Sequence, residues 1–212
     1  MDGTLIDSEV YTEPAIQDVC DEVGLIKPAL DYTRFYGMTW ASSVKVLAEA
    51  NPEFAKVPDL ALRCHSKFHE LCRTNLPPPI AGAHETIAAF SALVPVAIVS
   101  SAYRESIAQT IRQLDIAEQI TCYVGAEDFS ASKPAPDCFL HAAKLLDVDP
   151  ASCLVFEDST AGLEAARAAG MWAIAVTHRN YNLDRAKELG HLAIDDYTKL
   201  EPGFIQRICA AA

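Results

Sequence analysis

The sequence predicts an α/β fold: a parallel sheet with helices on both faces and a small all-helical region inserted near the amino terminus. Two observations carry this prediction. Short apolar runs alternate with amphipathic helical segments from residue 83 onwards, whereas residues 11–76 show only the helical spacing of apolar residues. Three consecutive prolines, at positions 77–79, separate the two parts and stiffen the chain between them.

The inserted region is predicted to hold three helices. In the first, from Thr12 to Gly24, apolar side chains recur at the spacing of one helical face. Thr12 suits the start of this helix and Gly24 suits its end. A second helix is predicted after Thr39, and a third from about residue 58 to residue 74.

The remainder of the chain alternates between strands and helices. The predicted order is helix 83–93, strand 96–99, helix 104–114, strand 120–124, helix 136–146, strand 154–156, helix 160–169, strand 172–176, helix 182–189 and strand 192–194. Because the strands are short continuous apolar runs joined through helices, we expect them to lie parallel in a sheet that is buried on both faces.

Charge and cysteine content exclude several classes of function. Seventeen Lys+Arg against twenty-nine Asp+Glu give a net charge of −12 and a pI near 4.8. Such a surface repels nucleic acid and anionic membranes. No apolar stretch reaches the roughly 20 residues that span a bilayer, and the acidic first twenty residues do not resemble a secretory signal. Seven cysteines without a Cys-x-x-Cys pair indicate free thiols in a reducing cytoplasm.

Ligand sites in parallel sheets lie beyond the carboxyl ends of the strands, so the residues after each apolar run are the candidates for chemistry. These candidates are Asp2 in DGTLIDS, Ser100 and Ser101 in VAIVSS, Lys133 in SKPAPD, and Glu157 and Asp158 in LVFEDS. Each alone has an ordinary structural explanation: a turn, a helix cap, a solvated lysine or an acidic loop.

Together the candidates have a chemical logic. Two adjacent carboxylates at the end of a strand suit Mg²⁺, which prefers oxygen ligands. A hydroxyl and an ammonium group at the same edge can hold the oxygens of a phosphoryl group. Asp2, beside a Gly-Thr turn, can donate a proton to a leaving oxygen. This set therefore favours phosphoryl transfer, which depends on positioning and on charge neutralisation.

The order and spacing of these motifs resemble the haloacid dehalogenase superfamily of hydrolases, in the helical-cap branch that includes sugar-phosphate phosphatases and beta-phosphoglucomutase. The segments DGTLIDSE, VAIVSS, SKPAPD and LVFEDSTAGLEAARAAGM occur in the order of the family. The resemblance implies a Rossmann-like core over residues 1–10 and 77–212 and a helical cap over residues 11–76. It also implies a monomeric, Mg²⁺-dependent phosphatase of a small phosphorylated metabolite, such as a sugar or polyol phosphate.

The resemblance also assigns roles to single residues. Asp2 matches the general acid/base, whose backbone carbonyl also binds the metal, and Glu157 and Asp158 match the acidic pair at the metal. Lys133 matches the lysine that neutralises the phosphoryl charge. The implied substrate contacts are Ser100, Ser101, Arg34 and Trp40. For Trp40 and the nearby Tyr36 a second interpretation stays open, in which both rings pack between helices.

One departure from the family pattern concerns the nucleophile. The family motif is Asp-x-Asp-Gly-Thr, and Met1 occupies the position x, so the nucleophilic Asp and its central strand would precede the chain. Either the sequence starts at an internal methionine of a longer protein, or the chain is an inactive relative that binds without turnover. The otherwise intact motifs favour the first alternative.

The absence of a central strand would also affect folding. It would leave two sheet edges unpaired and an apolar groove open, at a cost that can exceed the ~5–15 kcal/mol stability of a domain. The chain as given should therefore fold poorly and lack activity.

Other functions compete with the phosphatase. A phosphomutase of this family would carry a histidine at the position of Thr12 and an arginine near Trp40, and neither is present. A dehalogenase would not need the acidic pair at Glu157 and Asp158. A non-catalytic protein that binds phosphorylated metabolites is the alternative from a different class.

Overall fold

The computed structural model describes residues 1–35, 38–178, 183–201 and 203–211, with side chains described up to residue 208. The chain divides into two compact units. Residues 1–7 and 78–212 form the α/β unit, and residues 8–77 form the helical unit. None of the described helices combines the length and the apolar character that crossing a bilayer requires.

The helical unit contains three α-helices: α1 (Thr12–Val23), α2 (Trp40–Ala50) and α3 (Leu60–Thr74). Gly24 ends α1 in the left-handed conformation, with φ of 69°, which glycine adopts at no steric cost. The Thr39 hydroxyl caps α2 by accepting a hydrogen bond from the Ser42 amide at 3.2 Å. The apolar faces of the three helices, which include Leu47, meet in one buried cluster together with Phe54 from the short 3₁₀-helix Pro52–Lys56.

The α/β unit follows the predicted alternation. Its elements are α4 (Ala83–Ser91), β1 (Ala97–Val99), α5 (Arg104–Gln113), β2 (Cys122–Val124), α6 (Asp137–Leu146), β3 (Leu154–Glu157), α7 (Thr160–Ala168), β4 (Trp172–Val176), α8 (Leu183–Leu189), β5 (Leu192–Ile194) and α9 (Phe204–Ala211). The α/β class with parallel strands is therefore confirmed. The last helix, α9, was not predicted, and β2 begins two residues later than its apolar run suggests.

The strands form two separate parallel sheets. In one, β1 pairs with β2, so that Ala97 lies opposite Cys122. In the other, the order is β3-β4-β5, with Leu154 opposite Trp172 and Ile174 opposite Leu192. Among the described residues no strand joins β1 to β3, so the two sheets end at facing edges rather than forming the single sheet that the alternation predicts.

An apolar groove of about 380 Å³ lies between these two edges, and we call it the β1–β3 groove. It is lined by both strands and by side chains from helices on both faces of the sheets, including Phe90 and Phe139. Leu154, Val155 and Phe156 of β3 are only half-buried, whereas residues 173–176 of β4 are buried. A parallel strand is normally covered on both sides and both faces, so β3 is incompletely packed.

The cluster of the helical unit gives a first stability prediction. Leu47 is fully buried in α2. Replacing it with alanine should lower the free energy of unfolding by about 2–5 kcal/mol, because the substitution removes apolar contacts and leaves a cavity. Urea unfolding followed by circular dichroism measures the change. Leu62, 63% exposed on α3, is the matched control, and its replacement by alanine should cost no more than about 0.5 kcal/mol. Equal losses for the two variants would contradict this account of the core.

Candidate active site

The centre of the candidate site is the buried carboxylate of Glu157, the last residue of β3. One of its oxygens, Oε2, accepts a hydrogen bond from the Lys133 ammonium at 2.7 Å. The other, Oε1, accepts from the backbone N–H groups of Asp158 and Ser159 at 3.1 and 3.0 Å and from the Ser159 hydroxyl at 2.9 Å. Burial works against the charged form, but Lys133 and these donors lower the pKa of Glu157 to about 2.

Lys133 is held in the loop between β2 and α6, with a side chain that is only 11% exposed. Its ammonium lies 4.8 Å from the centre of the Phe139 ring on α6, a distance typical of a cation–π contact. Burial opposes its charge, but the charge of Glu157 and the hydrogen bond to it raise the pKa of Lys133. Lys133 therefore carries a full positive charge at neutral pH, in a place where water screens it little.

Asp158 lies beside Glu157 in a different electrostatic environment. Its Oδ1 accepts a hydrogen bond from the Thr4 hydroxyl at 2.7 Å. Burial and the negative charge of Glu157 raise the pKa of Asp158 to about 7. A cation next to Asp158 would counter both effects, so its carboxylate is the member of the acidic pair that is suited to hold a metal.

The first loop of the chain packs directly on Asp158. Gly3 has φ of 68°, and a Cβ at this position would lie 2.2 Å from the Asp158 Oδ2, so the close approach requires glycine. The Met1 carbonyl accepts the Leu5 amide at 2.7 Å, which closes the turn. On the other side of this loop the buried Tyr197 hydroxyl donates to the Thr4 carbonyl at 3.0 Å. The prediction from sequence did not include Tyr197, because its partner lies 193 positions away.

Helix α7 begins against the same carboxylate. The Ser159 hydroxyl caps this helix by accepting the Gly162 amide at 3.0 Å, while it donates to Glu157. A Cβ on Gly162 would lie 2.1 Å from the carboxyl carbon of Glu157. The glycine therefore lets the first turn of α7 pack tightly on the acidic pair, an arrangement that the EDSTAG segment of the sequence encodes.

Ser100 and Ser101 follow β1, in the other sheet. Ser100 is buried, and its hydroxyl accepts the Ala102 amide at 3.1 Å, whereas Ser101 is exposed. Asp2 is also exposed, and its backbone bridges to Ile6. The structure thus assembles Thr4, Lys133, Glu157 and Asp158 through direct contacts, while the roles of Asp2 and the two serines stay predictions.

Arg34 and Trp40 belong to the helical unit. Arg34 is exposed in a short 3₁₀-helix, Tyr32–Phe35. Trp40 begins α2, where its ring meets the Phe68 ring of α3 edge-on, with 5.8 Å between the ring centres. This contact supports the packing interpretation of Trp40. Tyr36, with which it was paired in that interpretation, and the adjacent Gly37 lie outside the described residues.

The residues for a metal were predicted to be Asp2, Glu157 and Asp158. Over the described ranges, no group of three or more His, Cys, Asp or Glu side chains is arranged around a possible metal position. The hydrogen bonds of Glu157 already engage both of its oxygens. Glu157 therefore orients Lys133 in this structure, and the metal roles of Asp2, Glu157 and Asp158 stay predictions.

Several characterised proteins are similar to the chain along most of its length. It is 34% identical over 189 residues to a bifunctional riboflavin kinase/FMN phosphatase of Arabidopsis thaliana; the match covers 83% of this chain and 46% of that protein. It is 27% identical to a fructose-1-phosphate phosphatase of Escherichia coli, with coverage of 83% and 93%. The chain thus spans about half the length of the first relative and nearly all of the second.

Solved structures and a family model agree with these matches. A HAD family hydrolase from Deinococcus radiodurans, solved with bound phosphate and sodium, superimposes with a TM-score of 0.77 at 26% identity, covering 99% of this chain and 94% of that chain. A putative beta-phosphoglucomutase from Thermotoga maritima, at 24% identity, shares the fold with a TM-score of 0.72, covering 100% and 96%. The sequence model of haloacid dehalogenase-like hydrolases matches residues 1–176. The chain therefore belongs to the haloacid dehalogenase-like hydrolase family.

Proposed function

We propose that this chain forms most of a Mg²⁺-dependent phosphatase that acts on a small phosphorylated metabolite, such as a sugar or polyol phosphate. The observation that carries the proposal is the contact network of Lys133, Glu157, Asp158 and Thr4 at the carboxyl end of β3. The relatives named above, an FMN phosphatase and a fructose-1-phosphate phosphatase, support the same class of substrate.

The donor set fits Mg²⁺. The Asp158 carboxylate and the backbone carbonyl of Asp2 are the groups of this chain that would hold the ion, both of them the hard oxygen ligands that Mg²⁺ prefers. When bound, Mg²⁺ neutralises charge on the phosphoryl oxygens and polarises the phosphorus–oxygen bond. Glu157 is not a metal ligand in this assignment, because its two oxygens accept hydrogen bonds from Lys133 and from the backbone of residues 158–159.

The other site residues supply binding and proton transfer. Lys133 binds one phosphoryl oxygen, and the Ser100 hydroxyl binds a second oxygen, with Ser101 beside it. The nucleophile is an Asp that precedes Met1; its carboxylate attacks phosphorus while Asp2 donates a proton to the leaving alcohol. Asp2 then takes a proton from the water that hydrolyses the aspartyl-phosphate. Without that upstream Asp, residues 1–212 bind the substrate but do not turn it over.

The helical unit supplies the substrate contacts in this proposal. Arg34 and Trp40 of this unit are assigned to the part of the metabolite beyond the phosphoryl group. Arg34 suits a second anionic group, and the Trp40 ring suits a sugar face. We further propose that the protein works as a monomer in the reducing cytoplasm, where the six described cysteines remain free.

A phosphomutase fits the helical unit less well. At the position where the mutase resemblance calls for a histidine, the buried Thr12 hydroxyl donates to the Glu9 carboxylate at 2.8 Å, and it cannot relay a proton near neutral pH. Phosphate release should therefore exceed the formation of sugar-phosphate isomers when an active, extended chain is given a hexose phosphate. Predominant isomer formation, measured by phosphorus NMR, would reverse the assignment.

The metal site gives a test of the proposed function. In a chain extended upstream by an apolar strand that ends in Asp, Asp158→Asn should reduce Mg²⁺-stimulated phosphate release by about 10²-fold or more, because it removes the carboxylate that holds the ion. Release of inorganic phosphate from fructose-1-phosphate and from sugar and polyol phosphates is the measurement. Asp147→Asn is the control: Asp147 is exposed in a left-handed conformation that asparagine also adopts, so activity should not change. Equal activity of the two variants would refute the site.

The buried ion pair gives a stability test, which is made in the same extended chain. Lys133→Met leaves the Glu157 carboxylate buried without its counter-ion and should cost about 3–5 kcal/mol of folding free energy. The double variant Lys133→Met with Glu157→Gln removes both charges and should recover most of that loss. Urea unfolding of the three chains measures the difference. A double variant as unstable as the single one would show that the pairing of charges is not what stabilises this part of the fold.

A further inference from the structure

We propose that His65 and His69, both exposed on helix α3, form a binding site for one divalent late transition-metal ion of the Ni²⁺ and Cu²⁺ class. The site belongs to the helical unit and shares no residue with the Mg²⁺ site proposed at Asp158. The inference therefore goes beyond the proposed function and does not depend on it.

The two imidazole rings approach each other at their Nε2 atoms. His65 and His69 lie four residues apart in α3, and side chains at that spacing occupy the same face of a helix. The Nε2 atoms are 3.0 Å apart, so one ring donates a hydrogen bond and the other accepts it. When the donating ring carries its proton on Nδ1 instead, both rings are neutral and both offer an Nε2 lone pair, which is the form that binds a metal.

The distances between the rings fit two neighbouring positions of a right-angled coordination sphere. With metal–nitrogen bonds of about 2.0–2.1 Å, nitrogens at a right angle lie about 2.9 Å apart, and nitrogens at a tetrahedral angle lie about 3.4 Å apart. The observed 3.0 Å matches the right angle. The tetragonal geometry of Cu²⁺ and Ni²⁺ has such right angles, so these ions fit the pair better than tetrahedral Zn²⁺ does.

The ring centres give the same answer. Two rings that both point at one metal ion across a right angle have centres about 4.5 Å apart. Two rings aligned along a straight N–H···N hydrogen bond have centres about 5.3 Å apart. The centres of His65 and His69 are 4.3 Å apart, with 64° between the ring planes. The rings are therefore already angled to each other as a chelating pair requires.

The helix that carries the pair is held in place by its other side chains. Leu60 and Cys64 of α3 are buried in the cluster that the three helices share. The His69 ring also meets the Phe68 ring edge-on, with 5.7 Å between the ring centres. Ligands that are ordered before binding lose less conformational freedom when the ion arrives, so this support favours binding.

The surroundings of the pair leave room for further ligands from solvent. Across the described residues, no group of three or more His, Cys, Asp or Glu side chains is arranged around a possible metal position. The protein thus supplies two imidazole nitrogens, and water completes the coordination sphere at this exposed place. The net charge of −12 favours the approach of a cation.

Titration with Ni²⁺ tests the proposal through the fluorescence of Trp40. The Phe68 ring contacts both the His69 ring and, at 5.8 Å, the Trp40 ring, so an ion at the pair lies close to the indole and should quench its emission. The experiment uses the extended chain described above, without a histidine tag and with Mg²⁺ in excess. Trp172→Phe leaves Trp40 as the one tryptophan of the sequence. Quenching should saturate at one Ni²⁺ per chain, and Zn²⁺ should compete only at higher concentrations than Ni²⁺.

Four variants identify the ligands. His65→Gln and His69→Gln should each weaken Ni²⁺ binding at least about tenfold, because the second, intramolecular bond to the ion is lost. His84→Gln, at an exposed histidine of α4, is the matched control and should leave the affinity unchanged. Ser66→His combined with His69→Gln keeps two histidines but places them about 100° apart around the helix. This double variant should bind as weakly as His69→Gln alone.

Several outcomes would overturn the proposal. These are the absence of quenching up to about 1 mM Ni²⁺, an unchanged Kd in His65→Gln or His69→Gln, full affinity in the double variant, and tighter binding of Zn²⁺ than of Ni²⁺. Circular dichroism establishes that each variant keeps its helices. Because no readout involves hydrolysis, an extended chain that releases no phosphate but binds Ni²⁺ through this pair would refute the phosphatase and leave the metal site standing.

Discussion

The buried carboxylate of Glu157 constrains more of this structure than any other single group. Four hydrogen-bond donors converge on it, from Lys133, the Asp158 amide and two groups of Ser159. Because a buried charge is costly without such partners, the lysine loop, the loop after β3 and the start of α7 are all fixed relative to one carboxylate. The position of this carboxylate also requires glycine at position 162, because any side chain there would displace the Glu157 carboxyl group.

The local periodicity of the sequence predicted most of the elements. The apolar runs that form β4 and β5 were predicted with the bounds that the structure has, because continuous apolar residues between turn signals leave little freedom. Gly24 and Thr39 marked helix ends for equally local reasons. The helix α9 was missed although Phe204, Ile205 and Ile208 recur at helical spacing, because the segment is only eight residues long.

Long-range contacts could not be predicted in the same way. The hydrogen bond of the Tyr197 hydroxyl to the Thr4 carbonyl joins two ends of the chain, and no local pattern marks tyrosine for this role. The acidic pair was found because its position after an apolar run has a general meaning in parallel sheets. The different contacts of the two carboxylates were not found, since a sequence cannot show that Glu157 accepts hydrogen bonds on both oxygens, one of them from Lys133, while Asp158 accepts one from Thr4.

The split sheet and the acidic pair are linked by position. β3 carries the groove edge along its length and Glu157 at its end. Asp158 follows directly, and burial together with the charge of Glu157 raises the pKa of its carboxyl group.

The proposed reaction adds negative charge to a site that already contains two carboxyl groups. Glu157 and Asp158 contribute two negative charges when both are ionised, and Lys133 contributes one positive charge, while the amino terminus of Met1 also acts to lower the pKa of both carboxyl groups. A phosphate monoester adds nearly two further negative charges at neutral pH. Burial makes such an excess costly, because the interior screens repulsion weakly. Lys133 alone cannot offset it, since its charge is already engaged by Glu157 at 2.7 Å. A divalent cation at Asp158 would remove most of the excess. Burial and the charge of Glu157 already raise the pKa of Asp158 before any substrate is present.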